Sequence, residues 1–534
     1  MNTTAGNEEK SARKLWFASA VFIMVLTLGI GLFVCSKKHV EFCDESLSLE
    51  SANAVWKEHI YDDWNRWMSG EEIRSYYAAT DINPHLIIIM KKLWVDHVPF
   101  YFWLLRFASL LAYGSSSPWI GMGLNLFLTL LFELWLFVSL GKRYGDDRRV
   151  LIGAGIFCLL FFLTMPLFFS QLNLIRMYLL ITFELWMLLW YMGGWYMEKE
   201  KKKRQFPYVL TVACALITHY LFLPFFGLLC ICIFLSLLAK DRKRIPQFIG
   251  MNASAAIVSC ILDPYWIYRL FRYNLMARSG GGADSGSSFG KILIRVVKTL
   301  GRVPFSENFP YFPGFLIACL VLAGALFLLW RNGHKKLFSY VIFVTAADLF
   351  YLFLVYRMNG GAGRYHWPAS VIWLLLVYLS AIGSFLFLLG RAGKDRWPAV
   401  LPAAVLVLFL GINLYGSIGQ KIEFLNPVSV EEELERRYSE IPWLVYSHEH
   451  TYYEEGAAYK FMIPERICFI SPDHPADTDF VLPEEFIVVT GDESLPEALA
   501  YLEELSGRQS VQTEEALMWG SMGAWHYRLR STAE

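Results

Sequence analysis

Apolar runs long enough to cross a bilayer recur from 15 to 414, and the polar stretches between them fall into two kinds. Five short connections are strongly basic: 142–149, 199–204, 240–244, 331–336 and 391–396. The others are acidic, neutral or long. The positive-inside rule places the basic connections and the N-terminus on the cytoplasmic side. The run 208–239 lies between two such connections, so it crosses an even number of times; at 32 residues it accommodates two short spans turning near His219. The run 86–112 is apolar but holds Lys91, Lys92, Asp96 and His97, and counting it as a span would put 142–149 outside. It predicts an interfacial helix on the outer surface. The pattern predicts about eleven spans, near 15–35, 118–140, 150–170, 174–196, 207–221, 222–239, 247–266, 312–330, 337–356, 367–390 and 398–418, with the N-terminus inside and the C-terminus outside. The loops 36–117 and 267–311 and the tail then lie outside.

Beyond 418 the pattern changes. Leu444-Val445-Tyr446, Ile467-Cys468-Phe469-Ile470 and Phe486-Ile487-Val488-Val489 are short apolar runs bounded by turn residues, which predict buried strands. Helices are expected over 454–462 and 495–505. Alternating strands and helices predict a small α/β domain with a parallel or mixed sheet. The expected organisation is a polytopic α-helical membrane domain, 1–418, whose long first outer loop bears interfacial helices, followed by an extracytoplasmic α/β domain, 419–534.

Composition and charge sharpen this reading. The 534 residues are 55% hydrophobic and 18% charged, where a soluble domain carries about 25% charged residues. The first run follows Lys10, Arg13 and Lys14 and lacks a small-residue cleavage pattern, so it reads as a retained span. The net charge of zero hides an asymmetry. From 419 to 534 there are 8 basic and 23 acidic residues, a net −15, so the remainder carries +15. An acidic tail excludes a nucleic-acid partner. The nine cysteines are scattered, mostly in apolar runs, with no metal-ligand spacing.

Candidate chemistry collects at the outer ends of the spans. Asp44-Glu45 lies about nine residues past the first span. It is either a solvated acidic pair or a general base at the membrane surface; adjacent carboxylates raise one another's proton affinity, which brings one of them toward neutrality. Asp81-Ile82-Asn83-Pro84-His85 opens the interfacial stretch, and Leu105-Arg106 closes it. Arg176 and Tyr178 follow the third span; an arginine there either snorkels to the interface or holds a phosphate. His219-Tyr220 marks the turn of the 208–239 hairpin, as a structural group or a functional one. Arg364-Tyr365 ends a glycine-rich loop before the tenth span. The basic outer loop 268–311, floppy over 279–288, reads as a lid over an anionic head group or as a solvated linker.

The order of these motifs resembles the polyprenyl-phosphate-sugar glycosyltransferases of the GT-C superfamily, and within it the dolichyl-phosphate-mannose protein mannosyltransferase-like group that includes the bacterial aminoarabinose transferases (family 39 and relatives). That group carries an Asp-Glu pair in the first outer loop, a His-Pro-Pro-Leu-Tyr-Tyr-like stretch, a Leu-Arg segment, an Arg-x-Tyr, a His-Tyr and a late Arg-Tyr. Here these stand as Asp44-Glu45, Asn83-Pro84-His85-Leu86, Leu105-Arg106, Arg176-x-Tyr178, His219-Tyr220 and Arg364-Tyr365. The resemblance covers roughly 15–418 and not the tail. The second motif departs from the family's, which bears on the donor's sugar or the acceptor more than on the fold. The oligosaccharyltransferase Trp-Trp-Asp is absent.

The resemblance implies an inverting membrane glycosyltransferase that moves a sugar from a polyprenyl-phosphate donor to an acceptor hydroxyl on the extracytoplasmic side of a bacterial plasma membrane. Asp44 and Glu45 would be catalytic, with Asp44 the base and Glu45 positioning acceptor or donor. Arg176, Tyr178, His219, Tyr220, Arg364 and Tyr365 would bind the donor's phosphate and lipid, and Asp81, His85 and Arg106 would support them. The partners implied are a polyprenyl-phosphate-linked sugar, a glycan, lipid or protein acceptor, and the bilayer. No cofactor is called for by the residues; some relatives use a divalent cation near the carboxylates, and the sequence leaves that open. Two other readings stand beside this one. A transporter or flippase of saccharides or lipid-linked saccharides would place polar, broken spans near mid-bilayer in paired repeats; Glu133, Glu184 and Asp348 are the polar exceptions to the outer-end pattern, and no clear repeat is present. A membrane anchor for an exported binding tail is the third.

Overall fold

The computed structural model describes residues 2–38, 43–54, 64–92, 97–145, 147–198, 205–220, 222–268, 289–303, 310–358, 363–391, 397–418, 422, 430–446, 460–474, 480–519 and 522–530. Among these, eight helices are long and apolar enough to cross a membrane: Lys14–Cys35, Trp119–Tyr144, Phe222–Lys240, Arg242–Leu262, Tyr311–Arg331, Lys335–Arg357, Arg364–Arg391 and Ala399–Ile418. A bent pair, Arg148–Phe161 with Pro166–Asn173, brings the number to nine if it is one span. The two remaining apolar runs form the helices Tyr178–Met197 and Gln205–Leu216. The latter has 12 residues and reaches about 18 Å, short of the roughly 30 Å hydrocarbon core. The protein is a multi-pass helical membrane protein. Its spans turn large apolar side chains outward, Phe17, Ile261 and Leu401 among them, as a hydrocarbon solvent requires.

In chain order the helices used below are α1 (Asn2–Cys35), α2 (Cys43–Asn53), α3 (Gly70–Tyr77), α4 (Leu86–Lys92), α5 (Phe100–Leu111), α6 (Trp119–Tyr144), α7 (Arg148–Phe161), α8 (Pro166–Asn173), α9 (Tyr178–Met197), α10 (Gln205–Leu216) and α11 (Phe222–Lys240). The run read as one span over 150–170 is the bent pair α7–α8, with an angle of 66°. Pro166 starts α8 at a position where its missing N–H is no loss. The break frees carbonyls within the bundle, and these are satisfied internally. Asn413 Nδ2 donates to the Leu160 carbonyl at 2.8 Å and Thr164 Oγ1 to the Leu159 carbonyl at 2.8 Å. Ser417 Oγ donates to the Thr164 carbonyl at 2.8 Å. A broken helix inside an apolar bundle survives only with replacements of this kind.

The stretch expected as one interfacial helix is divided into α4 and α5, and residues 93–96 between them lie outside the described residues. Most of the expected lid, 269–288, also lies outside them; 289–302 is helical.

The C-terminal region holds a mixed sheet. Strands β1 (Trp67–Ser69), β2 (Trp443–Tyr446), β3 (Arg466–Ile470), β4 (Glu485–Gly491), β5 (Ser510–Gln512), β6 (Leu517–Trp519) and β7 (Met522–Leu529) run in the order β1-β3-β2-β4-β7-β5, with β6 also on β7. The three strands expected from sequence are β2, β3 and β4; β2 pairs parallel with both others. β7 closes antiparallel on β4. The expected helix 495–505 is Leu495–Ser506, which buries Ala498 and Leu502. Of the other, 454–459 lie outside the described residues and Lys460–Met462 is a single 3₁₀ turn. The edge strand β1 comes from the long connection between α1 and α6 and pairs antiparallel with β3, Met68 opposite Ile467. Gly70 makes this docking close: a Cβ there would lie 2.6 Å from the Pro464 carbonyl oxygen.

Candidate active site

Three pieces of chain converge at the N-terminal end of α2. Asp44 and Glu45 lie in its first turn, where negative charge is favoured by the helix dipole. The second piece is the link between α8 and α9, which carries Arg176. The third is the 3₁₀ turn Gly363–His366, which carries Arg364. Asp44 sits between the two arginines: Oδ1 meets Arg176 Nη2 at 2.8 Å and Oδ2 meets Arg364 Nη1 at 2.5 Å. The Arg176 side chain is 4% exposed; those of Asp44 and Arg364 are each 18% exposed.

The link carrying Arg176 is held from several sides. Asn125 of α6 donates to the Leu172 carbonyl at 3.1 Å and the Leu174 carbonyl at 2.8 Å. Gly121 of α6 lets the link approach: a Cβ there would fall 2.2 Å from Ile175 Cγ2. The Ile175 N–H donates to Glu45 Oε1 at 2.8 Å. Lys38, three residues past α1, pairs with Glu45 and donates to the Asn173 carbonyl at 2.7 Å. Arg364's turn is tied down as well, since Tyr351 donates its hydroxyl to the Tyr365 carbonyl at 3.0 Å.

Beside this triad lies a cleft lined by His97, Val98, Arg176, Met177, Tyr178, His219, Tyr220 and Tyr365. Its rings are mutually packed: Tyr178 lies 5.6 Å from His219, 6.3 Å from Tyr365 and 5.8 Å from Trp367, centroid to centroid. Thr218, next to His219, donates to the buried carboxylate of Glu184 at 3.0 Å, which fixes the turn after α10. The structure therefore gathers Arg176, Tyr178, His219, Tyr220 and Tyr365 round one cleft and links Asp44 and Arg364 to it through Arg176.

Asp81, His85 and Arg106 form a second cluster at the other end of α2. Arg106, fully buried, donates to the Asp81 carboxylate at 3.0 Å, to the Asp81 and Asn83 carbonyls at 3.0 and 2.8 Å, and to Asn53 Oδ1 at 3.2 Å. His85 Nε2 meets Asp81 Oδ1 at 2.8 Å. Asn53, the last residue of α2, also donates to the Tyr77 carbonyl at 2.7 Å. This cluster anchors the far end of the helix whose first turn carries Asp44, and none of its three predicted residues lines the cleft.

The electrostatics of Asp44 differ from the sequence expectation of an upward shift by a neighbouring carboxylate. Burial does push its carboxyl up, but the charges of Arg176, Arg364 and His97, with the Arg176 hydrogen bond, outweigh burial and hold it below the usual carboxylate range. The neighbouring carboxylate of Glu45 is paired with Lys38.

Sequence reasoning missed Lys38, Asn125 and His97. A lysine just past a span reads as an interfacial anchor, and an asparagine inside an apolar run gives no hint of which carbonyls it will meet. His97 was seen only as a polar interruption of the interfacial stretch.

Among the described residues no three His, Cys, Asp or Glu side chains converge to hold a metal ion. Both oxygens of Asp44 face guanidinium groups, so a divalent cation would have to enter a positive field and displace an arginine. These residues do not fit a metal, and no step below is routed through one.

No protein-family model matches this chain, and no curated protein matches it in sequence. Solved structures do match in three dimensions, and they define a class of fold shared with membrane proteins that hold lipid phosphates in their solved complexes. One match is ArnT from Cupriavidus metallidurans in the apo state, with a TM-score of 0.52 at 12% identity over 95% of this chain and 97% of that one. The same ArnT bound to undecaprenyl phosphate matches with 0.51 at 12% identity and the same coverage. The archaeal oligosaccharyltransferase AglB from Archaeoglobus fulgidus, in complex with an inhibitory peptide and a dolichol-phosphate, matches with 0.51 at 10% identity over 92% of this chain and 71% of AglB. At these identities the likeness is one of fold. It bears out the polytopic fold with a C-terminal α/β region.

Proposed function

We propose that this protein is a membrane glycosyltransferase that moves a sugar from a polyprenyl-phosphate donor to an acceptor hydroxyl at the extracytoplasmic surface. One observation carries the reading. A carboxylate is clamped between two arginines from separate loops, and one of those arginines lines an aromatic cleft. That two solved proteins of this fold hold undecaprenyl phosphate and dolichol-phosphate supports a lipid phosphate as the ligand. The basic connections between spans support an extracytoplasmic site.

In the proposed reaction the donor's phosphate binds Arg176 and Arg364 in place of Asp44, as arginine forks bind phosphate. The exchange has a chemical consequence. While Asp44 holds both arginines its proton affinity is depressed, and it is a weak base. Once the phosphate neutralises them, burial is opposed only by the charge of His97, and the proton affinity of the carboxylate rises. Asp44 then accepts the proton of the acceptor hydroxyl. The acceptor oxygen attacks the anomeric carbon, and the bond from that carbon to the phosphate oxygen breaks. The electron pair leaves on the polyprenyl phosphate, whose charge the arginines stabilise. The products are an inverted glycoside and polyprenyl phosphate. Tyr178, His219, Tyr220 and Tyr365 form the wall that receives the donor.

The test is to incubate the purified protein with a panel of polyprenyl-phosphate sugars and follow release of free polyprenyl phosphate together with a glycoside product. Transfer by the wild type that is lost in folded Asp44→Asn supports the proposal; undiminished transfer by that variant removes Asp44 from the chemistry. Counterflow of labelled sugar in proteoliposomes, with no new glycosidic bond, would favour transport instead.

A further inference from the structure

Lys38 lies at the end of the first span, and the reaction above does not use it. Its side chain is 3% exposed and that of Glu45 is fully buried. A lysine anchored at an interface would keep its ammonium group in water; this one is turned inward. It pairs with Glu45 and bonds the Asn173 carbonyl, while the same Glu45 oxygen accepts the Ile175 N–H. Three chain segments therefore meet at one buried ion pair: the end of α1, the first turn of α2 and the link after α8. The neighbours of these residues in the chain are Asp44 and Arg176, themselves paired at 2.8 Å. Glu45 is not among the cleft-lining residues. Two adjacent carboxylates thus occupy opposite situations, one facing the arginines and one sealed behind them.

We infer that Lys38 and Glu45 are positioning residues: their buried pair sets the register between Asp44 and Arg176, and Glu45 exchanges no proton in the reaction. The inference rests on the proposed transferase reading for its kinetic consequences, while its structural part stands apart from it. An ion pair of this kind is poor at adding net stability but costly to halve, because the surviving charge is left buried. Removing both charges avoids that cost.

The experiment compares Lys38→Met, Glu45→Gln, the double variant and Lys38→Arg by thermal unfolding in detergent, undecaprenyl phosphate binding and transfer kinetics. Lys38→Met is expected to lower the Tm and, where it folds, to cut kcat by about 100-fold, as misplacing a reacting group does. The double variant keeps a Gln carbonyl to accept the Ile175 N–H. It is expected to recover the wild-type Tm and to regain about 10-fold of the lost kcat, with KM near the wild-type value. Lys38→Arg should preserve the pair, most of the activity and the acid limb of the pH profile. A double variant with wild-type Tm that is as inactive as Glu45→Gln alone would overturn the inference, as would an acid limb displaced in folded Lys38→Arg. Should the wild type neither bind undecaprenyl phosphate nor release it while the double variant still restores Tm, the transferase reading fails and the clasp stands.

Discussion

The two ends of α2 each hold an aspartate against a buried arginine, and the two pairs are built differently. At the far end Arg106 directs hydrogen bonds to two backbone carbonyls, Asn53 and Asp81, so each of its nitrogens has a partner. At the near end Arg176 holds Asp44 through Nη2, while its buried Nη1 has no hydrogen-bond partner among the described residues. A saturated guanidinium organises the chain around it. One with a donor left over, lining a cleft, is set to take a ligand, because an unsatisfied buried donor costs about 1–3 kcal/mol until something meets it. The difference separates scaffold from site within a single 11-residue helix.

The comparison breaks most sharply on carboxylates. Asp44→Asn should lower transfer by about 10³-fold, in the range expected for loss of a general base, with folding intact by circular dichroism. Asp81→Asn should leave transfer by the folded fraction largely unchanged; equal losses in the two variants would erase the distinction.

On the arginines the expected effects cross. Arg106→Gln leaves Asn53 Oδ1 and the Asp81 and Asn83 carbonyls without their donor and should destabilise the protein by about 1–3 kcal/mol for each buried acceptor left unmet, read as a lower Tm. Arg176→Gln should spare the Tm far more and weaken undecaprenyl phosphate binding by about 100-fold, the scale of losing a buried charged contact. A Tm collapse for Arg176→Gln with unaltered affinity would make it another scaffold residue.

A smaller effect concerns pH. The depressed proton affinity of Asp44 in the folded protein contributes stability that is present above the ordinary carboxylate value of about 3.9 and is lost as pH falls through the folded value. Melting curves through that acid range should therefore flatten in Asp44→Asn relative to wild type; parallel curves would show that Asp44 is not held by its arginines.

The smallest effect is at His85, which adopts φ +50° before α4 and meets Asp81. His85→Ala should cost about 1 kcal/mol of stability, the net worth of one hydrogen bond, with no change in phosphate binding.

Much of this architecture was legible in the chain, because the bilayer imposes its rule residue by residue. Apolar length marked the helices. Hydrophobic runs likewise marked β2, β3 and β4. What escaped depends on partners far away in sequence. β1 is three residues in a polar loop, and only its register with Ile467 makes it a strand. The bend between α7 and α8 is announced by Pro166, but its tolerance depends on Asn413, some 250 residues on. At the site, Asp44, Arg176 and Arg364 were found as separate motifs; that the two arginines share one carboxylate could be read only from coordinates. Glu45 and Asp44 are indistinguishable in sequence, and burial against Lys38 separates them.

The central claim is that Asp44 and a lipid phosphate compete for the same two arginines. It is tested most directly by titrating undecaprenyl phosphate in detergent against wild type, Asp44→Asn and Asp81→Asn at one pH and salt concentration. The account predicts binding about 10-fold tighter in Asp44→Asn, since relief from an internal competitor returns its cost as affinity, and an unchanged Kd in Asp81→Asn. Weaker or equal binding by Asp44→Asn would contradict it.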